Sequence, residues 1–445
     1  MEPNTSMPGG HPIRDVRSHK PLMYWLEVAA LVLLLCALVL AIWIPQRRVQ
    51  RLLREMSRLE HSEVGFIARM SGGSLKAGRH SEVFLGYDEF SLPLVILADN
   101  CGKRDWMWPF LTRMYSVKIT HPGVNDAWLA NLKDCQSIEA LNLAGTNITD
   151  AGLAHLRRLH KLKSLNLCNT KVTDDGLRHL SALTQLDALD LTGTQVTGHG
   201  LAHLDHSSFR RLSVRGCPFD DAGMVVLSHF ADLCAVDLSG THVTNTGIAE
   251  LAKIPRISEV FLAKTRITDI GVKSLGELPY LKSLCLSNTT VTDAGLAPLA
   301  ATNLDNLYLA DCALRGWGVR SLRVKHELDL SRTLITDASL RDVPPCWKLR
   351  LSGTQITDDG LKDFGASNST RKTGWLDLQS TATTDRGLGL LAGAPDLYGF
   401  ELANTQCTAA GISSCRELRK NLGRKDGYFD LTKVSPSRDR IHFYP

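Results

Sequence analysis

The sequence is poor in aromatic residues, has no long basic run and carries no cysteines at metal-ligand spacing. Aromatic side chains make up 6% of the 445 residues, and 51 basic against 46 acidic residues leave a formal net charge of +5. Because a nucleic-acid surface needs clustered positive charge, no nucleic-acid partner is expected. The cysteines, 11 in all, are scattered without a CxxC pair, which fits neither a zinc site nor a disulfide framework and predicts mostly free thiols.

Long hydrophobic runs are also lacking, with one exception near the N-terminus. Residues 28–44 read VAALVLLLCALVLAIWI, an uncharged run that would form a helix roughly 26 Å long. Extended back to Leu22 and bracketed by Tyr24, Trp25 and Trp43 as interfacial aromatics, it predicts a transmembrane helix over residues 22–44. A cleaved signal peptide is the alternative, but the run begins after about 20 polar residues and has no small-residue cleavage site before Trp43.

Basic residues on the two sides of this helix predict its orientation. Those that follow it are Arg47, Arg48, Arg51, Arg54 and Arg58, and those that precede it are Arg14, Arg17 and Lys20. The excess behind the helix favours a cytoplasmic C-terminal side. Unpaired thiols favour the same side because they persist more easily in a reducing compartment.

Most of the chain consists of one repeated unit, LxxLxLxxTxhTDxGLxxLxxL, in which h is a β-branched or aliphatic residue. Consecutive copies begin at Ile138, Leu162 and Leu186, and the glycine of the unit recurs at spacings of 21 to 27 residues, most often 24. About 13 such units fit between residues 117 and 415. The glycines are Gly152, Gly176, Gly200, Gly223, Gly247, Gly271, Gly295, Gly318, Gly360, Gly387 and Gly411, with Ser339 in the remaining slot.

Simple geometry converts this unit into an architecture. The LxL core alternates with period two, as in a strand with one buried face, and the following residues place two leucines on one side of a short helix. Neither element buries its apolar face alone, so the units must stack into a solenoid. Because strands stack about 4.8 Å apart while helices need about 8–10 Å, the strands should line the concave face. The predicted fold class is therefore α/β, a curved solenoid with one N-terminal transmembrane helix.

The period and pattern resemble the leucine-rich repeat. The TDAGLxxL element is similar to the short-helix variety found in bacterial leucine-rich-repeat proteins and in F-box substrate receptors. Residues 62–116 resemble the N-terminal cap of such arrays in planctomycete-type proteins, with an IxxxxGG motif at Ile67, Gly72 and Gly73. No F-box precedes the array, so a ubiquitin-ligase role is not implied. The resemblance implies a protein-binding solenoid with no catalytic activity.

Two polar columns of the unit have structural interpretations. Threonines where the chain leaves the strand should hydrogen-bond to backbone groups: Thr146, Thr170, Thr194, Thr241, Thr265, Thr289, Thr333, Thr354, Thr381 and Thr405. Cys217 and Cys312 occupy the same slot and should serve packing. Aspartates at the helix start should cap it: Asp150, Asp174, Asp221, Asp269, Asp293, Asp337, Asp358 and Asp385.

Features that suggest catalysis or metal binding also follow the repeat. Aspartate pairs at 174–175, 220–221 and 358–359 share the capping slot. His155, His179 and His203 share one helix position and would lie too far apart for one metal ion, because packed helices are about 8–10 Å apart. The glycine-rich stretch 387–393 lacks phosphate-loop spacing. With no kinase set, nucleophile elbow or HExxH motif, the sequence predicts no catalytic residue, metal site or cofactor.

The remaining candidate for function is the set of outward-pointing strand residues. These vary while the frame does not, and large aromatic and charged side chains among them are typical of protein interfaces. The candidate partner-binding residues are Asp190, Arg211, Arg215, Asp237, Phe261, Tyr308, Asp329, Lys348, Arg350, Asp377 and Glu401. Each one alone could equally be an ordinary surface residue.

The predicted organisation has six parts. Residues 1–21 form a polar tail, 22–44 the membrane helix, 45–61 a basic connector, 62–116 a capping module and 117–415 the repeat array, while 416–445 either close the array or hang free. The predicted function is a membrane-tethered protein-binding scaffold. The alternative is an outward-facing receptor or adhesion ectodomain that recognises a cell-envelope ligand such as a glycan or peptide. A third hypothesis, an enzyme hidden within 62–116, has no convincing nucleophile, base or metal set.

Overall fold

A computed structural model describes part of the chain. The described residues are 66–68, 85–86, 94–96, 116–120, 123–133, 135–204, 209–367, 373–394, 396–423 and 428–430. The predicted transmembrane helix at 22–44 lies outside them. Among the described helices, none is both long and apolar enough to cross a bilayer.

The repeats build one sheet. Short strands at the N-terminal end are β1 (Phe66–Ala68), β2 (Leu85–Gly86) and β3 (Leu94–Ile96). The repeat strands follow as β4 (Ser116–Lys118), β5 (Ala140–Asn142), β6 (Ser164–Asn166), β7 (Ala188–Asp190), β8 (Arg211–Ser213), β9 (Ala235–Asp237), β10 (Glu259–Phe261), β11 (Ser283–Cys285), β12 (Leu304–Tyr308), β13 (Val324–Asp329), β14 (Lys348–Arg350), β15 (Trp375–Asp377), β16 (Gly399–Glu401) and β17 (Tyr428–Asp430).

Sheet order follows chain order, which confirms the stacked-repeat prediction. Within the described residues, a 15-stranded sheet runs from β17 through β4 to β2. Neighbouring strands from β4 to β17 pair in parallel, whereas β2 joins β4 antiparallel. β1 and β3 form a separate antiparallel pair. Strand β17 lies in the predicted C-terminal segment 416–445 and extends the sheet beyond the last repeat.

Each strand from β4 to β16 is followed by a short helix. The α-helices are α1 (Asp126–Leu129), α2 (Asp150–Leu153), α3 (Asp174–Leu177), α4 (Asp221–Leu227), α5 (Asn245–Ile248), α6 (Asp269–Gly276), α7 (Asp337–Leu340), α8 (Asp358–Ser367), α9 (Asp385–Leu391) and α10 (Ala409–Asn421). The 3₁₀ helices span Ala130–Leu132, Leu156–Arg158, Arg178–Leu180, His199–His203, Ala249–Lys253, Asp293–Ala301 and Gly318–Ser321. Such brief helices are stable only because their leucines pack into the shared core.

Leucines from strands and helices form a continuous core along the described array. Leu165 on β6, Leu177 on α3 and Leu180 beyond it are at most 1% exposed, and the same slots are buried in the units on either side. Since each unit buries apolar surface against both neighbours, stability accumulates along the stack.

The threonine column is confirmed as a structural ladder. In each of the ten predicted units the hydroxyl donates to the carbonyl oxygen of the leucine three residues earlier, at 2.5–2.7 Å. The two cysteines in this slot replace that bond: Cys217 donates its thiol to the Leu191 carbonyl at 3.0 Å, and Cys312 to that of Leu286 at 3.1 Å. Both are buried, free thiols.

The aspartates do not cap their own helices as predicted, and the reason is geometric. The preceding threonine is the N-cap residue, and the aspartate is the first helical residue, as in α3 after Thr173. From there the carboxylate reaches the next unit: Asp150 accepts bonds from the backbone N–H and the hydroxyl of Thr173, at 2.8 and 2.7 Å. The column is therefore an inter-repeat clamp. Asp220, which replaces the threonine, does cap its own helix.

The clamp also explains the recurrent glycine. A Cβ atom on Gly176 would overlap the Asp150 carboxylate of the preceding unit, and one on Gly387 would overlap Asp358. A side chain at either of these two positions would displace the carboxylate from its threonine. The glycine therefore provides space for a neighbour, and its helical backbone does not require a positive φ.

Candidate binding surface

The outward side of the sheet, here called the strand face, carries the first and third residues of each strand. The middle residue points into the core, as Leu349 does on β14 and Leu376 on β15. Residues of equal position are in register on neighbouring strands, so Asp329, Arg350 and Asp377 lie side by side on β13, β14 and β15. Adjacent strands are about 4.8 Å apart, which brings such side chains into contact range.

The third strand position has a structural duty that sequence reasoning missed. Asp329 accepts the backbone N–H of Ser331 at 2.9 Å, and Asp377 that of Gln379 at 3.0 Å. The same two-residue turn occurs at Asp190, at Asp237 and at Asn166. Asx turns of this kind end a strand locally. These predicted candidates are therefore partly engaged within the protein.

Phe261 does not project as a free anchor. Its side chain is only 3% exposed and packs with Ala263 and Cys285 in a small apolar cluster separate from the core, with Tyr308 against its edge. Burial raises the pKa of the Cys285 thiol to about 11. The expectation that Phe261 faces solvent was wrong because neighbouring strand-face side chains, one strand apart, cover the ring.

A charged group spans β12 to β14. The Nε atom of Arg350 and Oε1 of Glu327 form an ion pair at 2.8 Å, but they are not hydrogen-bonded to each other. Lys348 Nζ is 3.5 Å from the same oxygen. Tyr308 donates its hydroxyl to the other oxygen, Oε2, at 3.1 Å. Burial, with help from Glu327, raises the pKa of that tyrosine.

A second group, on β15 and β16, is centred on Glu401. Its carboxylate accepts hydrogen bonds from the Trp375 indole at 2.8 Å and the Gln379 amide at 2.7 Å. Lys348 Nζ lies 4.0 Å from Glu401 and 5.9 Å from the Trp375 ring centre, which joins the two groups. We call the whole set the charged cluster: Tyr308, Glu327, Asp329, Lys348, Arg350, Trp375, Asp377, Gln379 and Glu401.

Two carboxylates in the charged cluster lack a close cation. No lysine or arginine nitrogen of the described residues lies within 4.0 Å of Asp329 or Asp377. Burial raises the pKa of Asp329, and it raises that of Asp377 to about 6, with Glu401 and Asp329 adding to the effect. Arg350 opposes both shifts but is engaged by Glu327. The cluster thus combines close ion pairs with two carboxylates that have no cation of the described residues within 4.0 Å.

Exposed aromatic rings lie at the edge of this cluster. Trp347 and Tyr398, one residue before β14 and β16, are 52% and 42% exposed. Gly374 lies between them in register, and its Cα abuts the Trp347 indole, where a side chain would collide. Gly399 is covered by the Trp375 ring in the same way. Large exposed aromatics beside charge are typical of interfaces, and these two were absent from the sequence-predicted set.

Six of the predicted residues thus lie in one cluster, and the others lie apart. Tyr308, Asp329, Lys348, Arg350, Asp377 and Glu401 belong to the charged cluster. Asp190 accepts a bond from the Asn166 amide at 3.0 Å on β6 and β7. Arg211 and Arg215 are partly buried on and just after β8. Burial raises the pKa of Asp237, and nearby Arg215 opposes that shift. Sequence reasoning missed Glu327, Trp375 and Gln379, although their outward position follows from period-two alternation, because each lies two residues from Asp329 or Asp377.

Metal ligation has no support within the described residues, where no three His, Cys, Asp or Glu side chains come together in a suitable group. His155 and His179 are partly buried and His203 is exposed, one per unit. The nine cysteines described are free, and six of them are buried.

Two matches to a family model agree with the repeat architecture. A family model described as "Leucine Rich repeat" matches residues 134–156 and 348–365. No curated protein matches the sequence with significance. Among solved structures, an internalin from Listeria monocytogenes is 22% identical with a TM-score of 0.48, covering 69% of this chain and 89% of its own. A leucine-rich-repeat protein of Leptospira interrogans is 17% identical with a TM-score of 0.46, covering 68% and 80%. The ectodomain of a plant membrane receptor kinase from Arabidopsis thaliana is 17% identical with a TM-score of 0.40, covering 68% and 40%.

Proposed function

We propose that this leucine-rich-repeat chain is a membrane-tethered binding scaffold with no catalytic activity, and that it engages a protein partner through the strand face between β12 and β16. The observation that carries the proposal is the pair of exposed aromatic rings, Trp347 and Tyr398, beside the charged cluster. Aromatic and arginine side chains dominate the binding energy of protein interfaces. A hydrogen-bonded sheet also holds them rigidly, which limits the entropy lost on binding.

Site-specific photocrosslinking tests the surface. A photoreactive amino acid replaces Trp347 or Tyr398 in the full chain, and a matched control replaces Ile270, a helix residue that is 74% exposed. We expect a crosslinked protein from the two aromatic positions and none from the helix position. The purified partner should then bind Trp347→Ala about tenfold more weakly than the parent. Equal crosslinking from all three positions would contradict the proposal.

Membrane tethering is proposed from the uncharged run at 28–44 and its flanking arginines. A helix of this length matches the hydrocarbon thickness of a bilayer, roughly 30 Å. The chain should therefore remain in the membrane pellet after high-salt and alkaline washing, and deletion of residues 22–44 should release it. Release of the intact chain by high salt alone would show that no span is present.

The second candidate is a receptor whose repeats face outward. The free thiols favour the cytoplasmic side, and labelling decides between the two. Because most described cysteines are buried, an added thiol at the exposed helix position Ala252 should replace them as the reporter. If a membrane-impermeant reagent labels Ala252→Cys only after permeabilisation, the scaffold is intracellular. If it labels intact cells and leaves the parent chain unlabelled, the receptor is favoured.

A further inference from the structure

Asp329 and Asp377, the two carboxylates without a close cation among the described residues, can each accept a further hydrogen bond. Each binds one backbone N–H through Oδ1, and the Oδ2 atom of each makes no hydrogen bond within the described array. Neither Oδ2 is among the fully buried, unsatisfied atoms of this face. Each therefore has one oxygen without a hydrogen-bond donor among the described residues; Asp329 is half-buried and Asp377 is 3% exposed.

The Asx turn formed by the third residue of a strand does not require a charged side chain. Asn142 and Asn166 occupy the same slot on β5 and β6, and their Oδ1 atoms accept the same bond at 3.0 and 2.9 Å. An amide thus serves the fold as well as a carboxylate does. At Asp377 the charge opposes folding, because the side chain is only 3% exposed and a buried anion without a counterion is unfavourable.

The cations of the cluster are occupied elsewhere. Arg350 lies between Asp329 and Asp377 in register, yet its Nε atom contacts Glu327 on the diagonal at 2.8 Å. Lys348 is shared between Glu327 and Glu401. Four acidic side chains, Glu327, Asp329, Asp377 and Glu401, face two basic ones. When all are ionised, the cluster therefore has an excess of two negative charges.

We propose that the partner docks through a basic segment whose lysine or arginine side chains pair with Asp329 and Asp377 in the charged cluster. This inference rests on the proposed function and specifies the chemistry of the partner. The two acids are two strands apart, about 10 Å, so two cationic groups of one segment can reach both. Trp347 and Tyr398 lie at the edge of the same strands and would attract the same cations through their ring faces.

The test uses the full chain in detergent micelles and a defined probe, a fluorescent hexa-arginine peptide with blocked termini. Asp329→Asn and Asp377→Asn keep the turn acceptor and remove only the charge. Asp190→Asn is the matched control, because that aspartate occupies the same slot on β7 but already uses both oxygens. We expect anisotropy titrations to show about tenfold weaker binding for each of the first two variants and no change for the control. A hexaglutamate peptide should not bind.

Three results would overturn the inference: no binding of hexa-arginine, equal binding by the parent and both variants, or preferential binding of hexaglutamate. Its failure can be separated from failure of the proposed function by using the partner identified through crosslinking. If that partner needs Trp347 but is insensitive to Asp329→Asn and Asp377→Asn, the strand face binds a protein and the basic-segment inference is wrong. If hexa-arginine binds as expected but nothing crosslinks at Trp347 or Tyr398, the binding chemistry holds and the proposed protein interface is wrong.

Discussion

Two glycines of helix α9 should respond in opposite ways to the same substitution. A Cβ atom on Gly387 would overlap the Asp358 carboxylate and lie 3.0 Å from the nearest atoms of Leu361 and Thr383, whereas one on Gly389 would meet nothing within 4 Å. Both glycines are helical, so alanine improves helix propensity at both. Only Gly387→Ala also disturbs the inter-repeat clamp.

The magnitudes follow from the bonds at stake. Asp358 accepts bonds from Thr384 N–H at 2.9 Å and from its hydroxyl at 2.6 Å. Hydrogen bonds to a charged group contribute about 1.5–3 kcal/mol each, and displacing the carboxylate weakens both bonds. Alanine in place of glycine stabilises the helix by about 1 kcal/mol, which offsets part of this loss. We expect Gly387→Ala to lower the free energy of unfolding by about 1–3 kcal/mol. Gly389→Ala should raise it by about 0.5–1 kcal/mol.

Urea unfolding followed by circular dichroism measures the net change, and hydrogen exchange at the Thr384 amide reports the clamp directly. The exchange measurement matters because a repeat array can open locally without global unfolding. In an Asp358→Ala background, Gly387→Ala should cost less than about 1 kcal/mol, since the overlapping oxygen has been removed. If both glycine variants change stability equally, or if Thr384 keeps its protection, the clamp explanation is refuted.

Three further predictions concern charge and backbone strain. Burial raises the pKa of Asp377 in the folded chain from its ordinary value of 3.8 to about 6, so this residue contributes stability below about pH 4 that is lost as pH rises through 6. Asp377→Asn should therefore be more stable than the parent at pH 7, by about 1–3 kcal/mol, and equal to it at pH 3 in urea titrations. Arg419 is fully buried and donates to backbone carbonyls at the end of the array. Arg419→Met should therefore lower the urea midpoint by an amount equivalent to about 2–4 kcal/mol, and an unchanged midpoint would show that these hydrogen bonds do not stabilise the array. Ser380 has φ +53° and Gly353 +66° at equivalent turns. Ser380→Gly should therefore raise the melting temperature and Gly353→Ala should lower it, each with a change of up to about 1 kcal/mol in the free energy of unfolding. Shifts of the same sign would contradict the strain argument.

The repeat unit could be predicted from the sequence because the spacing of its residues reflects local backbone geometry. Period-two leucines predicted the strands of the repeat units but not β1 to β3 or β17. The threonine slot predicted a hydroxyl–backbone bond that the structure contains in every unit named. The role of the aspartates as clamps between neighbouring units could not be predicted. The sequence shows Asp150 at a helix start, but its partner Thr173 lies 23 residues later, and only stacking of the units brings the two together.

The candidate surface was predicted in part. Alternation along single strands identified Asp329, Lys348, Arg350 and Asp377 as outward-facing, because that direction depends only on the pleat. It did not show that Phe261 would be covered, since that burial depends on side chains from neighbouring strands. Exposed Trp347 and Tyr398 were missed as well, because they precede their strands and their exposure depends on which residues flank them.

By itself, the sequence determined the repeat, the parallel order of the strands and the residues of the strand face, because each follows from spacing within one unit. The tertiary structure alone decided which of those residues act together. Arg350 has acidic neighbours on both sides yet contacts Glu327 on the diagonal, which leaves Asp329 and Asp377 without a close cation among the described residues. Pairing of this kind depends on distances between side chains of separate units, and those distances exist only once the repeats are stacked.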